Sequence, residues 1–194
     1  MALQQQITLI RHGTTEWSQN GRHTSHTDLP LLPQGIDESE KLKRRLEHMH
    51  FDHVLCSSMQ RAQKTCEIAG LLDRAVIDKD CVEWQYGAYE GLTKKEIAKQ
   101  NPHWDLFLQG APGGESVERA TERIERVIKH LQSLNGHIVL FAHAHFLRLF
   151  MIRWIDLAPS FGRFFLLSPA SISQLTIKEG VRVVSFWNDT SHLL

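Results

Sequence analysis

Residues 7–13, Ile-Thr-Leu-Ile-Arg-His-Gly, constrain this chain more than any other stretch. Ile7 to Ile10 is a short, β-branched apolar run, the pattern of a buried strand. Arg11 and His12 follow its last apolar residue at once, where an α/β sheet presents ligand-binding groups at its strand carboxyl ends. Gly13 then permits a sharp turn or a close backbone approach. A basic pair beside a glycine is a poor core element and suits a site.

The strand pattern recurs. Runs 54–56, 75–77 and 137–142 (His-Ile-Val-Leu-Phe-Ala) read as further strands, the last being the most apolar and therefore central. Between them, 33–49 reads as a charged helix with Ile36, Leu42, Leu46 and Met49 inward. A helix running to about 72 is N-capped by Ser57 or Ser58 and carries Arg61 in its first turn, where the helix dipole favours an anion. Helix 117–134 places Val117, Ala120, Ile124, Val127, Ile128 and Leu131 on one stripe and ends at Asn135-Gly136. A short helix spans 92–99, and helix 145–157 follows His143. The polar stretch 17–32, with Gly21 and Pro30, reads as a long loop. Residues 82–91, with two glutamates and two glycines, read as a structured loop. Runs 171–177 and 181–186 form a hairpin around Gly180. Strands alternating with helices imply an α/β fold, a three-layer α/β/α sandwich whose mostly parallel sheet ends in a C-terminal hairpin. At 194 residues the chain suits one well-buried core, a single domain over 1–194.

Lys+Arg and Asp+Glu each number 22, so no global charge recruits nucleic acid or a membrane surface, and any anion site must be a local cluster. The most apolar stretch, 146–157, is interrupted by Arg148, Arg153 and Asp156 and is too short to span a bilayer. The first strand begins within a few residues, leaving no room for a signal peptide. Cys56, Cys66 and Cys81 are odd in number and lack C-x-x-C spacing, which argues against a disulfide scaffold or zinc ribbon. A cytoplasmic location is expected, with Cys66 a small core residue. His12, His23, His26, His143 and His145 are accompanied by neither H-E-x-x-H nor a cysteine set, so no metal is expected.

Motifs in order then carry a resemblance: Arg11-His12-Gly13-Thr14 with Glu16-Trp17; Thr24-Ser25-His26-Thr27-Asp28-Leu29-Pro30-Leu31; Ser57 with Arg61-Ala62 and Thr65; Glu83 with Gly87 and Glu90-Gly91; Gly114-Glu115-Ser116; and Phe141-Ala142-His143-Ala144-His145-Phe146-Leu147-Arg148. Over essentially the whole chain these resemble the histidine phosphatase superfamily, also called phosphoglycerate mutase-like. The resemblance implies a hydrolase of small phosphorylated metabolites that needs no cofactor, with His12 transiently phosphorylated and Glu83 as proton donor. It implies that Arg11, Arg61 and His143 hold the transferring group, and that Glu90 fixes its loop through backbone hydrogen bonds. Ser18, Arg22, Thr24, Trp84, Tyr86 and Ala144 are candidate substrate contacts, Trp84 and Tyr86 being equally suited to core. The chemistry agrees: phosphoryl transfer needs an in-line nucleophile, charge around the equatorial oxygens and a proton for the leaving alkoxide. A neutral imidazole is such a nucleophile when its other nitrogen is held, most simply by a backbone carbonyl.

The chain departs from the family pattern at Ser25, Ser58 and Ala144, where glycine, proline and glycine are usual. A positive φ at Ala144 would cost roughly 1 kcal/mol. The motifs are most similar to the sedoheptulose-1,7-bisphosphatase subgroup, whose members release the 1-phosphate of ketose bisphosphates. Arg22, His23 and His26 are then either partners of a second phosphate or solvated loop residues. Two other readings stand beside hydrolysis: a phosphoglycerate mutase-type isomerase, and a phosphate-binding member without turnover. The short segment between Glu83 and Glu115 favours water access over the first; the joint presence of His12 and Glu83 argues against the second. Fructose-2,6-bisphosphatase-like, α-ribazole-phosphatase-like and broad monoesterase activities stay open, and oligomeric state is not legible.

Overall fold

The apolar runs become strands β1 (Gln6–Arg11), β2 (His53–Ser57), β3 (Ala75–Asp78) and β4 (His137–Ala142) of a computed structural model that describes residues 5–194. With β5 (Ile172–Lys178) and β6 (Val181–Asp189) they form one mixed sheet in the order β3-β2-β4-β1-β5-β6. The first four strands pair in parallel, and β5 and β6 add antiparallel at one edge. The hairpin turns at Glu179 and Gly180, both with positive φ (53° and 79°), as the tight turn that matches strand twist requires.

Alternation along the strands splits the core in two. Ile10, Val54, Cys56, Val139 and Phe141 face Leu42 and Leu46 of α2 (Pro33–Leu46) and Ala62 and Cys66 of α3 (Gln60–Ile68). Ile7, Leu9, Leu55, Ile138 and Leu140 face α6 (Val117–Gln132) and α7 (Ala144–Trp154) on the other side. The three layers follow from that alternation.

Local expectations change in several places. The loop at 17–32 opens with a one-turn helix, α1 (Glu16–Asn20), closed by a reciprocal capping box between Thr15 and Ser18. Ile36 is 42% exposed and lies off the inward stripe of α2. The N-cap of α3 is Met59, without a side-chain bond; Asp28, from the loop before α2, accepts from the Gln60 N–H instead at 3.0 and 3.1 Å. α6 is capped by Ser133 in the right-handed region, so Gly136 (φ 88°) turns the chain into β4. The helix expected over 92–99 is α4 (Lys94–Ala98), and α5 (Leu106–Gln109) follows. Gly13 has no positive φ; a Cβ there would lie 2.5 Å from the Gly35 carbonyl oxygen, so it lets the loop after β1 touch the start of α2.

β4 lies between β2 and β1, so three strand ends lie side by side. They deliver His143, Arg61 (one residue into α3) and the Arg11-His12 pair to one place. No helix among the described residues is long and apolar enough to cross a membrane, and Cys56, Cys66 and Cys81 are all free and buried.

Candidate active site

A cleft of about 220 Å³ opens over these strand ends. Arg11, His12, Glu83, Tyr86 and Ala144 line its inner part; Ser18, Arg22 and Thr24 line it from the loop around α1. His12 is pinned through its backbone to both neighbouring segments, by its N–H to the Ala142 carbonyl (3.0 Å) and by its own carbonyl, which accepts from Ala170 N–H (3.1 Å). Ala170 is buried in the left-handed region (φ 51°), a strained backbone held directly against His12.

The ring of His12 is 5% exposed, and its Nδ1–H donates to the Gly13 carbonyl at 2.8 Å. A carbonyl only accepts, so the proton is on Nδ1 and the lone pair on Nε2. Burial, then the charges of Arg61 and Arg11, push the imidazole well below its usual range, so it stays neutral. Burial also lowers Arg11, to about 10. Its Nη1 donates to the Leu167 carbonyl, while its Nε is buried without a hydrogen-bond partner among the described residues. An orphaned buried guanidinium donor beside a neutral imidazole suits an anion.

Arg61 and His143 stand behind His12 and do not line the cleft. Arg61 is fully buried; its Nε donates to His143 Nδ1 (3.2 Å), and its Nη atoms donate to the carbonyls of Thr24, Ser25 and Thr27 (3.4, 3.0 and 3.2 Å). Since Arg61 can only donate, His143 carries its proton on Nε2 and gives it to Ser57 Oγ at 2.7 Å. Burial and the neighbouring Arg61 hold His143 well below the usual histidine range. The donors that the sequence reading aims at a phosphoryl group are thus engaged by the protein in this arrangement. Glu90 completes the clamp on the same loop, its Oε1 accepting from Ser25 N–H (2.9 Å) and Thr27 N–H (3.1 Å).

Glu83 lies at the N-terminus of α7 and is 4% exposed. Its carboxyl accepts from the N–H groups of Trp84 (2.9 Å), His145 (3.0 Å) and Phe146 (2.7 Å). A buried ion pair brackets it in sequence: Arg123 meets Glu115 through two bonds of 2.8 and 2.7 Å and also donates to the Val82 carbonyl at 2.9 Å. The Glu115 carbonyl in turn accepts from the Trp84 indole at 2.9 Å.

The two aromatics of this loop divide. Trp84 is fully buried, edge-on to Phe107, and belongs to the core; it does not line the cleft, which corrects its place among the substrate contacts. Tyr86 lines the cleft and bonds His145 Nδ1 at 2.6 Å. Arg22 lines the cleft but is committed to the Gly91 carbonyl (2.6 Å) and Glu96 (3.2 Å). His26 is exposed, 3.8 Å from Glu90, and stands off the cleft. Neither Ser25, Ser58 nor Ala144 has a positive φ; Ala144 opens α7, so no strain attends the missing glycine. Leu166 and Leu167 also line the cleft and were not singled out from sequence; Arg148, the last residue of the motif 141–148, lines it too but was given no role of its own. The sequence signal for Arg148 was its position three residues after His145, on the same helical face. No group of three or more His, Cys, Asp or Glu side chains placed to hold a metal ion occurs among the described residues.

Comparison with known proteins adds four findings. Residues 7–190 match the family model of the histidine phosphatase superfamily (branch 1). The chain is similar to an acid phosphatase of Mycobacterium tuberculosis, 35% identical over 190 residues (96% of this chain and 93% of the relative). It is also similar to a sedoheptulose 1,7-bisphosphatase of Saccharomyces cerevisiae, 32% identical over 182 residues (77% and 67%). Among solved structures, that of an open reading frame of Mycobacterium tuberculosis superposes with a TM-score of 0.89 at 32% identity, covering 95% of this chain and 97% of the other.

Proposed function

The chain belongs to the histidine phosphatase superfamily and is a phosphatase of small phosphorylated metabolites; from that premise we propose that it works through a phosphohistidine on His12, with ketose bisphosphates as the preferred substrates. His12 Nε2 attacks phosphorus in line as the ester P–O bond breaks, and Glu83 gives its proton to the departing alkoxide oxygen. Glu83 then takes a proton from water, whose oxygen attacks the phosphohistidine; inorganic phosphate leaves and His12 returns to its starting form. Arg11 offers its unpartnered Nε to the phosphoryl oxygens. Arg61 contributes charge from behind the nucleophile and, with His143, fixes the loop and ring that shape the site.

One observation carries the reading: the bond from His12 Nδ1–H to the Gly13 carbonyl leaves a neutral Nε2 as the free nitrogen, in the cleft that also holds Arg11 and Glu83. Hydrolysis is favoured over a mutase cycle because none of residues 91–115 lines the cleft; Ile97, Trp104, Leu106 and Phe107 from that segment are buried in the core instead. Ketose bisphosphates are suggested by the motif pattern and by the similarity to sedoheptulose 1,7-bisphosphatase. Three free, buried cysteines suit a reducing cytoplasm.

The test is phosphate release in the presence of EDTA from sedoheptulose 1,7-bisphosphate, 3-phosphoglycerate and p-nitrophenyl phosphate. Glu83→Gln is expected to lose about 10²–10⁴-fold in turnover while still accumulating phosphoenzyme. Isomerisation of 3-phosphoglycerate without phosphate release would replace this reading with the mutase one.

A further inference from the structure

Every backbone polar group of Gly13 and Thr14 is engaged, and one of the partners is a buried carboxylate outside the cleft. The Gly13 N–H donates to Thr65 Oγ1 (3.0 Å), and the Thr14 carbonyl accepts from Leu32 N–H (2.9 Å). Between them lies one peptide unit. Its carbonyl, that of Gly13, takes the His12 Nδ1–H at 2.8 Å; its N–H, that of Thr14, donates to Glu38 Oε2 at 2.8 Å. Glu38 Oε1 accepts from the Thr14 hydroxyl (2.8 Å) and from Gln34 Nε2 (2.9 Å). Both oxygens meet donors only, as a carboxylate's do. Glu38 is buried and has no ion-pair partner among the described residues, unlike Glu115 with Arg123. A buried carboxylate without a cation is costly unless its hydrogen bonds repay it, and two of these three go to Thr14. The sequence brings it there through glycines. Gly35 lies one turn before Glu38 on the same face of α2; it has no room for a Cβ against the Thr14 carbonyl oxygen, nor has Gly13 against Gly35. Helix and loop therefore touch, and the contact sets Glu38 opposite Thr14.

We propose that Glu38 is a positioning residue for the nucleophile, acting on His12 through the Gly13–Thr14 peptide. A peptide unit is rigid and planar, so a partner that fixes its N–H also fixes the direction of its carbonyl. That carbonyl decides which ring nitrogen of His12 keeps the proton, and so leaves Nε2 free to attack. Hydrogen bonds in series through one amide polarise each other. The carboxylate thus strengthens the carbonyl as an acceptor while the ring gains positive charge on phosphorylation. Without Glu38 the plane can tilt, and the ring with it. The inference rests on the phosphohistidine reading and gives a residue that does not line the cleft a share in aiming the attack.

The experiment measures kcat and KM for p-nitrophenyl phosphate, and the ¹⁵N spectrum of histidine-labelled protein, in the wild type, Glu38→Ala, Glu38→Asp and Glu38→Gln. The His12 signals are those lost in His12→Ala. Glutamine keeps an acceptor oxygen within reach of the Thr14 N–H; aspartate keeps the charge on a shorter arm, and alanine keeps neither. In Glu38→Ala kcat is expected to fall about 10- to 100-fold, the scale of a misplacement of about 1 Å at the reacting atom. KM should be nearly unchanged, and the single Nδ1–H tautomer of His12 should give way to a mixture. Glu38→Asp should behave like Glu38→Ala, and supplies the same reading if the alanine variant does not fold. Glu38→Gln should keep the tautomer and most of kcat. Wild-type kcat in the folded alanine and aspartate variants overturns the inference, as does a fall in kcat with the His12 tautomer unmoved, or a glutamine variant as impaired as the alanine one. Each of these leaves the phosphatase reading standing so long as the wild type turns over through a phosphorylated His12. A wild type that releases no phosphate and forms no phosphohistidine overturns that reading, and the role of Glu38 with it.

Discussion

The inner end of the cleft and the wall formed by α7 use the same residue types in opposite ways. Behind His12, Arg61 and His143 find acceptors and donors on Ser57 and on the loop 24–27, and nothing is left over. Along the cleft itself, Arg11 Nε, His12 Nε2 and Arg148 Nη1 have no hydrogen-bond partner among the described residues. A satisfied polar group holds geometry, and a buried unsatisfied one is costly unless something else meets it. The difference separates what positions the site from what handles the substrate, a distinction that residue type alone does not make.

That contrast is open to attack. The largest effect belongs to His12→Ala, which removes an unsatisfied nitrogen: turnover should fall by about 10⁴-fold or more, with melting temperature little changed because the ring makes only one local bond. A variant that keeps its rate, or that unfolds, breaks the contrast at its open end. Arg123→Met attacks the satisfied end by stranding buried Glu115. Chemical denaturation should show a loss of about 3–5 kcal/mol, and the surviving folded enzyme should lose kcat more than substrate affinity because the loop bearing Glu83 is freed.

A pH titration of stability sharpens the comparison without mutation. His12, His143 and His145 sit well below the ordinary 6.5 in the folded protein because of burial. Above about 6.5 they are neutral in both states and cost nothing. As pH falls below that value the unfolded chain takes up protons that the folded one refuses, so stability should decline by up to about 1.4 kcal/mol per pH unit for each group. Urea melts between pH 7 and 5 would check this, and a flat profile would mean that these rings accept protons in place. For the same reason the nucleophile stays neutral in mild acid. The smallest effect is expected of Ser57→Ala, which strands the Nε2–H of His143 at a cost of about 1–3 kcal/mol. kcat should fall with KM nearly unchanged, and no change in either stability or kcat would show that Ser57 does not orient the ring.

Much of this architecture was legible in the sequence because it depends on short-range pattern. The alternation of Ile138, Val139, Leu140 and Phe141 marks a central strand, and the stripe on α6 marks a helix that covers it. What escaped was set by partners far along the chain. Asp28, thirty-two positions away, caps α3 where Ser57 and Ser58 seemed adequate. Ile36 looked inward by spacing, yet the start of α2 is governed by the close approach of Gly35 to the loop after β1. Arg22 looked free until Glu96 was brought beside it, whereas Arg148 closed the motif 141–148 without a role of its own until its face proved to line the cleft. The candidate nucleophile and acid are each adjacent to a strand end or a structured loop, so they could be read locally. Whether a basic residue binds substrate or protein depends on the fold.

The most direct test is to trap the phosphoenzyme in Glu83→Gln and record its ³¹P spectrum to find which imidazole nitrogen is phosphorylated. Because Nδ1–H is held by the Gly13 carbonyl, the phosphoryl group should appear on Nε2 of His12 and nowhere else. Phosphorylation at Nδ1, on another residue, or not at all during turnover would contradict the account.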